Sequence, residues 1–388
     1  MTRAATIKNE LSLLISLCRL DFDPAHSEKI KSVVSEVKDW QYFAGMANAH
    51  GVGAMVYYNL GRLGLLEFLP AGTRDFLKNM MVLNLARNTS HISHVKEVLS
   101  ILGGAGIKTV LLKGMALEHT VYGNRGIRQM TDVDVLISRD ECIHARNLLL
   151  ARGFRSLPLK SPVHKLIIAH TGKHLPSLLK GDFSVEIHHE LFGGGEKSLT
   201  KLLYDGSFET VFTGEKAFVP DALFHFLYLV RHLGYHEMNN ESQLRLYADL
   251  VVLIEKYPER ILNMNLFRMA ETAGIENILT GKLNLLKKFW DIEFPVWIND
   301  HIYIRYEGKA DKFLFFLDNP KGNPVPARDM PYKYIIQEIP GIHRKFLFVL
   351  GDLFPSVQFM KKRYKCNSGW KALLFYPHRF GKLWYLIK

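Results

Sequence analysis

Thr131-Asp132-Val133-Asp134-Val135-Leu136-Ile137-Ser138 largely alternates polar with apolar residues and is rich in β-branched side chains, which predicts a strand. Side chains at i and i+2 of a strand share a face. Asp132 and Asp134 therefore project side by side, while Val133, Val135 and Ile137 face a core. Two carboxylates one strand-step apart repel unless a cation sits between them. The stretch reads either as two solvated acids on an edge strand or as a site for Mg²⁺ or Mn²⁺. If repulsion dominates, removing one acid should cost the fold little stability.

Upstream, Gly103-Gly104-Ala105-Gly106 interrupts a helical pattern, and Ile107 to Leu112 is a short apolar run suited to a buried strand. Lys113-Gly114 ends that run, and Met115 to Tyr122 reads as a short helix. A Lys-Gly turn at this point suits a phosphate, which backbone N–H groups and an ammonium attract, and equally suits an ordinary tight turn. Arg125 and Arg128 lie in the loop before Thr131, placed to brace a phosphate or to pair with the carboxylates. Downstream, Asp140 to Arg152 is helical and Gly153 is a natural stop. After the turn Lys180-Gly181-Asp182 comes Val185-Glu186-Ile187-His188-His189-Glu190. Here Glu186, His188 and Glu190 share the face opposite Val185 and Ile187. An inward mid-strand glutamate is costly unless paired or metal-bound, so Glu186 is a third candidate ligand beside Asp132 and Asp134.

Helical periodicity flanks this middle part on both sides. Ile7, Leu11, Leu14, Ile15 and Cys18 begin it, and a helix is expected from Thr73 to about Leu102. It returns in Ala222 to Leu233, Ser242 to Glu255 and Ile275 to Trp290. Residues 317–331, with four prolines, read as a loop. The chain thus divides into a helical region (1–103), an α/β unit (104–215) and a second helical region (216–388). The expected fold class is α+β, a small mixed sheet with helices flanked by two helical regions.

With 388 residues, 48% hydrophobic and 23% charged, the composition is that of a globular protein and excludes disordered, collagenous and disulfide-framework classes. Cys18, Cys142 and Cys366 are too few and too scattered for a disulfide framework or a metal motif. Together with an N-terminus lacking a long apolar stretch, they suggest a cytoplasmic location. No run of about 18 apolar residues suggests a transmembrane segment. No G-x-x-x-x-G-K-[ST] phosphate loop and no nucleophile elbow is present. His225, His232 and His236 fall on one helix and read as structural or substrate-contacting groups. Arg245 and Asp249, at i and i+4, read as an intrahelical pair, with nucleotide contact as the alternative. His170 and His174 read as a polar strand edge.

Four segments together resemble the uncharacterised nucleotidyltransferase family of the polymerase-beta-like superfamily. They are Leu111-Leu112-Lys113-Gly114, the run from Arg128 to Ile137, His174-Leu175-Pro176-Ser177-Leu178, and Val185-Glu186-Ile187-His188. Ala49-His50-Gly51-Val52, Leu227 to His236, Leu244-Arg245, Asp249 and the C-terminal Pro355, Arg363-Tyr364 and His378-Arg379 extend the likeness. It implies a nucleotidyltransferase palm between helical flanks. Asp132 and Asp134 match the metal-binding pair, and Glu186 falls where the third carboxylate is expected. Lys113-Gly114 replaces the superfamily's Gly-Ser phosphate turn. Gln129, Thr131 and His189 stand where the family more often has Pro, Ser and Trp. The activity implied is Mg²⁺-dependent transfer of a nucleoside monophosphate from an NTP to an unidentified acceptor, with Lys113, Gly114, Arg125 and Arg128 on the nucleotide.

The net charge of +12 is concentrated in Val357–Lys388, which holds eight basic residues, eight aromatics and no acid. This tail suits an anionic surface or RNA. Its apolar content predicts that most of it folds onto the body. Two other functions fit the same residues: a catalytically silent relative acting as a binding or scaffold protein, and a nucleic-acid-binding protein that uses the tail.

Overall fold

The β-branched run at 133–137 forms the middle of a mixed seven-stranded sheet with the order β3-β4-β5-β2-β1-β7-β6. In this computed structural model the described residues are 8–192, 197–239, 241, 243–303, 310–320, 336, 337 and 339–378. The strands are β1 (Val110–Leu111), β2 (Val133–Leu136), β3 (Arg155–Ser156), β4 (Leu178–Lys180), β5 (Phe183–His188), β6 (Phe208–Phe212) and β7 (Glu215–Val219). β2 pairs parallel with β5 and antiparallel with β1, and β1 pairs parallel with β7. Gly181 turns the β4–β5 hairpin at φ +58°, a conformation that favours glycine. The α+β class holds. The β6–β7 hairpin carries the sheet to Val219, beyond the α/β unit outlined from the sequence.

Strand parity separates two cores. Leu111, Val133, Val135, Ile137, Val185 and Ile187 point to one side. There they meet Val95, Val98, Leu99 and Leu102 of α5 (Ala71–Gly103) and Cys142, Ala145 and Leu149 of α7 (Arg139–Ala151). Val110, Leu112 and Leu136 point to the other side, into the larger core. That core holds α1 (Asn9–Ser16), α2 (Pro24–Glu36), α3 (Trp40–Ala49), α4 (Gly53–Arg62) and the first turns of α5. It also holds α9 (Ala222–Met238), α10 (Leu244–Lys256) and α13 (Glu276–Trp290). The α5 helix therefore serves both cores, with Leu77 in one and Ile92 to Leu102 in the other.

The N-terminal helices are knitted to the start of α10. His50 accepts from the Leu244 N–H at 3.1 Å, its other ring nitrogen lies 2.9 Å from the Leu317 carbonyl, and its own carbonyl accepts from the Arg245 N–H. Gly51, at φ +69°, packs against Gln129 and Arg245. This explains why the Ala49–Val52 segment belongs with the α10 residues: it sets where Arg245 stands.

The chain leading into the basic aromatic tail is anchored to the α/β part. The helix Ile342–Leu353 packs on the turn Pro162–Leu166, with Lys160 Nζ 2.5 Å from Asp352 and Ser161 Oγ 2.8 Å from the Phe354 carbonyl. Beyond it Met360 and Ala372 are fully buried and Tyr364 stacks on Phe375. Trp370 is 80% exposed, beside exposed Lys371. Arg379 to Lys388 and residues 321–335 lie outside the described residues. Among the described residues, no helix is long and apolar enough to cross a membrane.

Candidate active site

The parallel register of β2 on β5 sets Asp134 directly beside Glu186 and Leu136 beside His188. The sheet face opposite Val133 and Val185 thus carries Asp134, Glu186 and His188 together. One donor atom from each lies within 4.8 Å of the others. His188 Nε2 is 2.7 Å from Asp134 Oδ1 and 3.6 Å from Glu186 Oε2. Ser177 donates to Glu186 Oε1 at 3.0 Å, and His174 Nε2 lies 3.8 Å from its other oxygen. Asp134 and Glu186 form the floor of a cleft of about 300 Å³, within the range of ligand pockets, with His188 buried behind them.

Lys113 also reaches the floor. Its backbone takes φ +44°, which a side-chain-bearing residue rarely adopts, and its ammonium lies 2.8 Å from Asp134 Oδ1. Burial alone would raise the Asp134 pKa, but Lys113 and His188 hold it well below the usual carboxylate range. The His188 ring beside it brings Glu186 down to about 2, against the opposing effect of burial, with His174 adding to the effect. Burial alone would lower the Lys113 pKa, but Tyr228 and Asp134 raise it instead. The expected repulsion between strand carboxylates is therefore neutralised by side chains of the protein itself.

The opposite wall is basic. Lys173, His232, His236 and Arg245 line the cleft together with Tyr235. Burial lowers the pKa of Lys173, and nearby Lys113 lowers it further. Burial and then Lys113 do the same to His232. Burial likewise lowers Arg245, with Arg128 adding to the effect. Groups that depress one another in this way are relieved when an anion arrives.

The structure brings Lys113, Gly114, Arg128, Asp132, Asp134 and Glu186 to the cleft. Asp132 sits at its mouth, exposed and bonded by Thr131 Oγ1 at 2.8 Å, and is not part of the converging set. Arg125 lies elsewhere, in a separate hollow with Glu118 and His119. Arg128 is buried and turned to Asp249, which it grips through two 2.7 Å bonds. Asp249 is thus taken by Arg128 and by the Tyr122 hydroxyl, correcting the intrahelical pairing with Arg245. Arg245 instead donates to the Gln129 carbonyl and to Gln243. Gly114 is required sterically: a Cβ there would lie 2.2 Å from Arg128 Nη1. Glu190 leaves the face of Glu186 and pairs with Arg139.

Sequence reasoning did not place Lys173 or Tyr235 at the cleft. His232 and His236 carried a signal, their i, i+4 spacing. His188 carried one too, because it shares strand parity with Glu186. Asn88 on α5 was not read at all, yet it donates to the Arg125 and Arg128 carbonyls at 2.6 and 2.8 Å and fixes the loop before β2.

A mixed sheet that presents strand carboxylates to a basic cleft is a nucleotidyltransferase-type arrangement. The chain belongs to the family described as uncharacterised nucleotidyltransferases, whose profile matches residues 36–291. Among solved structures it is similar to an antigenic nucleotidyltransferase-like protein from Paracoccidioides brasiliensis. The identity is 14% and the TM-score 0.32, over 54% of this chain and 94% of that one. No curated protein matches the chain.

Proposed function

We propose that the protein transfers a nucleoside monophosphate from a nucleoside triphosphate to an acceptor hydroxyl, releasing pyrophosphate. The observation that carries this reading is the Asp134–Glu186 register, which sets two carboxylates side by side beneath a basic wall. Carboxylate oxygens with one imidazole nitrogen form a donor set that fits a divalent cation of the Mg²⁺ or Mn²⁺ type. Asp134 and Glu186 would hold it, with Asp132 at the mouth of the same cleft. When bound, such a cation neutralises phosphate charge and acidifies a bound hydroxyl.

The side chains of the cleft account for the rest. Lys113, Lys173 and Arg245 attract the triphosphate from separate elements, and Lys113 would exchange the Asp134 carboxylate for a phosphate oxygen. His232 and His236 offer ring nitrogens on the same wall. A Glu186 carboxylate held near 2 is a weak base, which favours a cation-holding role over proton abstraction. The acceleration would come from positioning and from charges already in place.

Incubation with each α-labelled NTP, Mg²⁺ or Mn²⁺ and a cell extract tests the reading. A molecule that gains label with the parent protein and not with Asp134→Asn supports it. No labelled acceptor with any nucleotide, and no joint effect of cation and NTP on the melting temperature, would reject it.

A further inference from the structure

We propose that His188 is itself a ligand of the divalent cation and that its imidazole moves the preference of the site from Mg²⁺ towards Mn²⁺. The proposal rests on the metal-dependent reading above, and adds a nitrogen donor to a site expected from carboxylates alone.

The geometry of the ring carries the argument. His188 lies on β5, two residues beyond Glu186 on the same face, and is 0% exposed. Its Nε2 lies 2.7 Å from Asp134 Oδ1 and 3.6 Å from Glu186 Oε2, while Nδ1 lies 3.3 Å from the Glu190 carbonyl oxygen. Nδ1 therefore faces a backbone carbonyl and Nε2 faces the two carboxylates. With Nδ1–H given to the Glu190 carbonyl, Nε2 becomes a donor atom aimed at the same point as the carboxylate oxygens, and one atom from each of the three groups lies within 4.8 Å of the others. A backbone carbonyl on the far nitrogen is also the usual support of a metal-bound histidine, because it fixes the tautomer and the ring plane.

Position within the site agrees. Asp132, the other acid of the strand motif, is exposed and stands outside the converging set, whereas His188 stands inside it. The inner donors are therefore two carboxylates and an imidazole. Mg²⁺ favours oxygen donors in a near-ideal octahedron, while nitrogen donors favour first-row transition ions.

The test uses the full chain, stripped of metal and titrated with Mn²⁺ or Mg²⁺ alone. Calorimetry is expected to give a Kd for Mn²⁺ at least about tenfold below that for Mg²⁺. Pulsed electron paramagnetic resonance of the Mn²⁺ form is expected to show nitrogen coupling that changes with ¹⁵N-histidine labelling. The coupling should persist in His174→Asn and in His232→Asn and vanish in His188→Asn, with the Mn²⁺ advantage falling about tenfold. If His188→Asn does not fold, labelled parent protein and the other two variants still decide. Full Mn²⁺ occupancy without nitrogen coupling overturns the proposal, as does coupling that survives in folded His188→Asn or is lost in His174→Asn or His232→Asn. Failure of Mn²⁺ to bind overturns it too. Coupling without nucleotidyl transfer would reject the catalytic reading and leave the ligand in place; transfer without coupling would do the reverse.

Discussion

Arg128 and Asp249 hold each other through two parallel bonds, Nε to Oδ1 and Nη2 to Oδ2, both 2.7 Å long and both buried. The pair ties the loop before β2 to α10, so it fixes the approach of the strand acids to the basic wall. Breaking a buried ion pair by removing one partner costs about 3–5 kcal/mol. Asp249→Asn is expected to lose stability of that order in urea denaturation. Arg128→Lys should recover little of it, because an ammonium cannot reproduce the two-pronged contact. Parent-like stability in Arg128→Lys, with weakened nucleotide binding, would show instead that Arg128 faces a phosphate.

Gly114→Ala probes the same pair from the other side. The added methyl would lie 2.2 Å from Arg128 Nη1 and 3.0 Å from Met130 Cγ. Asp249 pins the guanidinium, so the expected cost is about 1–3 kcal/mol, as for overpacking elsewhere. An unchanged melting temperature would mean that the guanidinium gives way.

Asp134→Asn is expected to abolish transfer and also to weaken the fold. Lys113 and His188 both bond Asp134 Oδ1, and the variant leaves a buried ammonium without its counter-charge. A loss on the order of 3 kcal/mol follows. This reverses the expectation from repulsion between strand acids, which would leave stability unchanged or higher. Denaturation of the metal-free variant separates the two outcomes.

Acid sensitivity should reside partly in His50. Its two bonds, from the Leu244 N–H and towards the Leu317 carbonyl, need a neutral ring, and burial lowers its pKa from 6.5 to about 4. The folded value lies below the unfolded one. The contribution is therefore complete above pH 6.5 and is lost as pH falls towards 4. At about 1.4 kcal/mol per pH unit this amounts to roughly 3 kcal/mol. Unfolding free energies at pH 7, 5.5 and 4 should fall less steeply for His50→Gln; parallel slopes would assign the acid loss to other groups.

Deletion of residues 357–388 should lower the melting temperature. It removes the buried Met360 and Ala372 and the bond from the Tyr376 hydroxyl to the Pro355 carbonyl. A shift of about 1 °C for each kcal/mol lost is expected for a chain of this size. An unshifted transition would make the segment an arm that contributes nothing to the core.

Much of this arrangement is written in short-range patterns. Parity at 132–137 and 183–188 put Val133, Val135, Val185 and Ile187 in one core and Asp134 and Glu186 on the other face. Periodicity likewise located α5, α7, α9, α10 and α13. What escaped depends on distant partners. The spacing of Arg245 and Asp249 offered a local pair, but the Arg128 guanidinium arrives from a loop 121 residues away and presents a better fork. Phe208–Phe212 is mostly exposed, so it lacks the alternation that marks a strand, and β7 is defined by pairing with β1 about a hundred residues earlier. Lys173 comes to the cleft and His174 to Glu186 because the chain beside β5 returns there, which no local period records.

The α5 helix has a consequence for how the molecule yields. At about 1.5 Å per residue its 33 residues form a rod on the order of 50 Å long, with one end sealed in each core. Such a rod cannot pivot at one end without unseating the other. The sheet cannot be cut free at the glycine cluster 103–106, because Val95, Val98, Leu99 and Leu102 would leave with the rod. Loosening in either core is transmitted to its neighbour, so heat should melt the two together. The acids and the basic wall meet at the junction this rod braces, and their spacing has the stiffness of a frame rather than the play of a hinge.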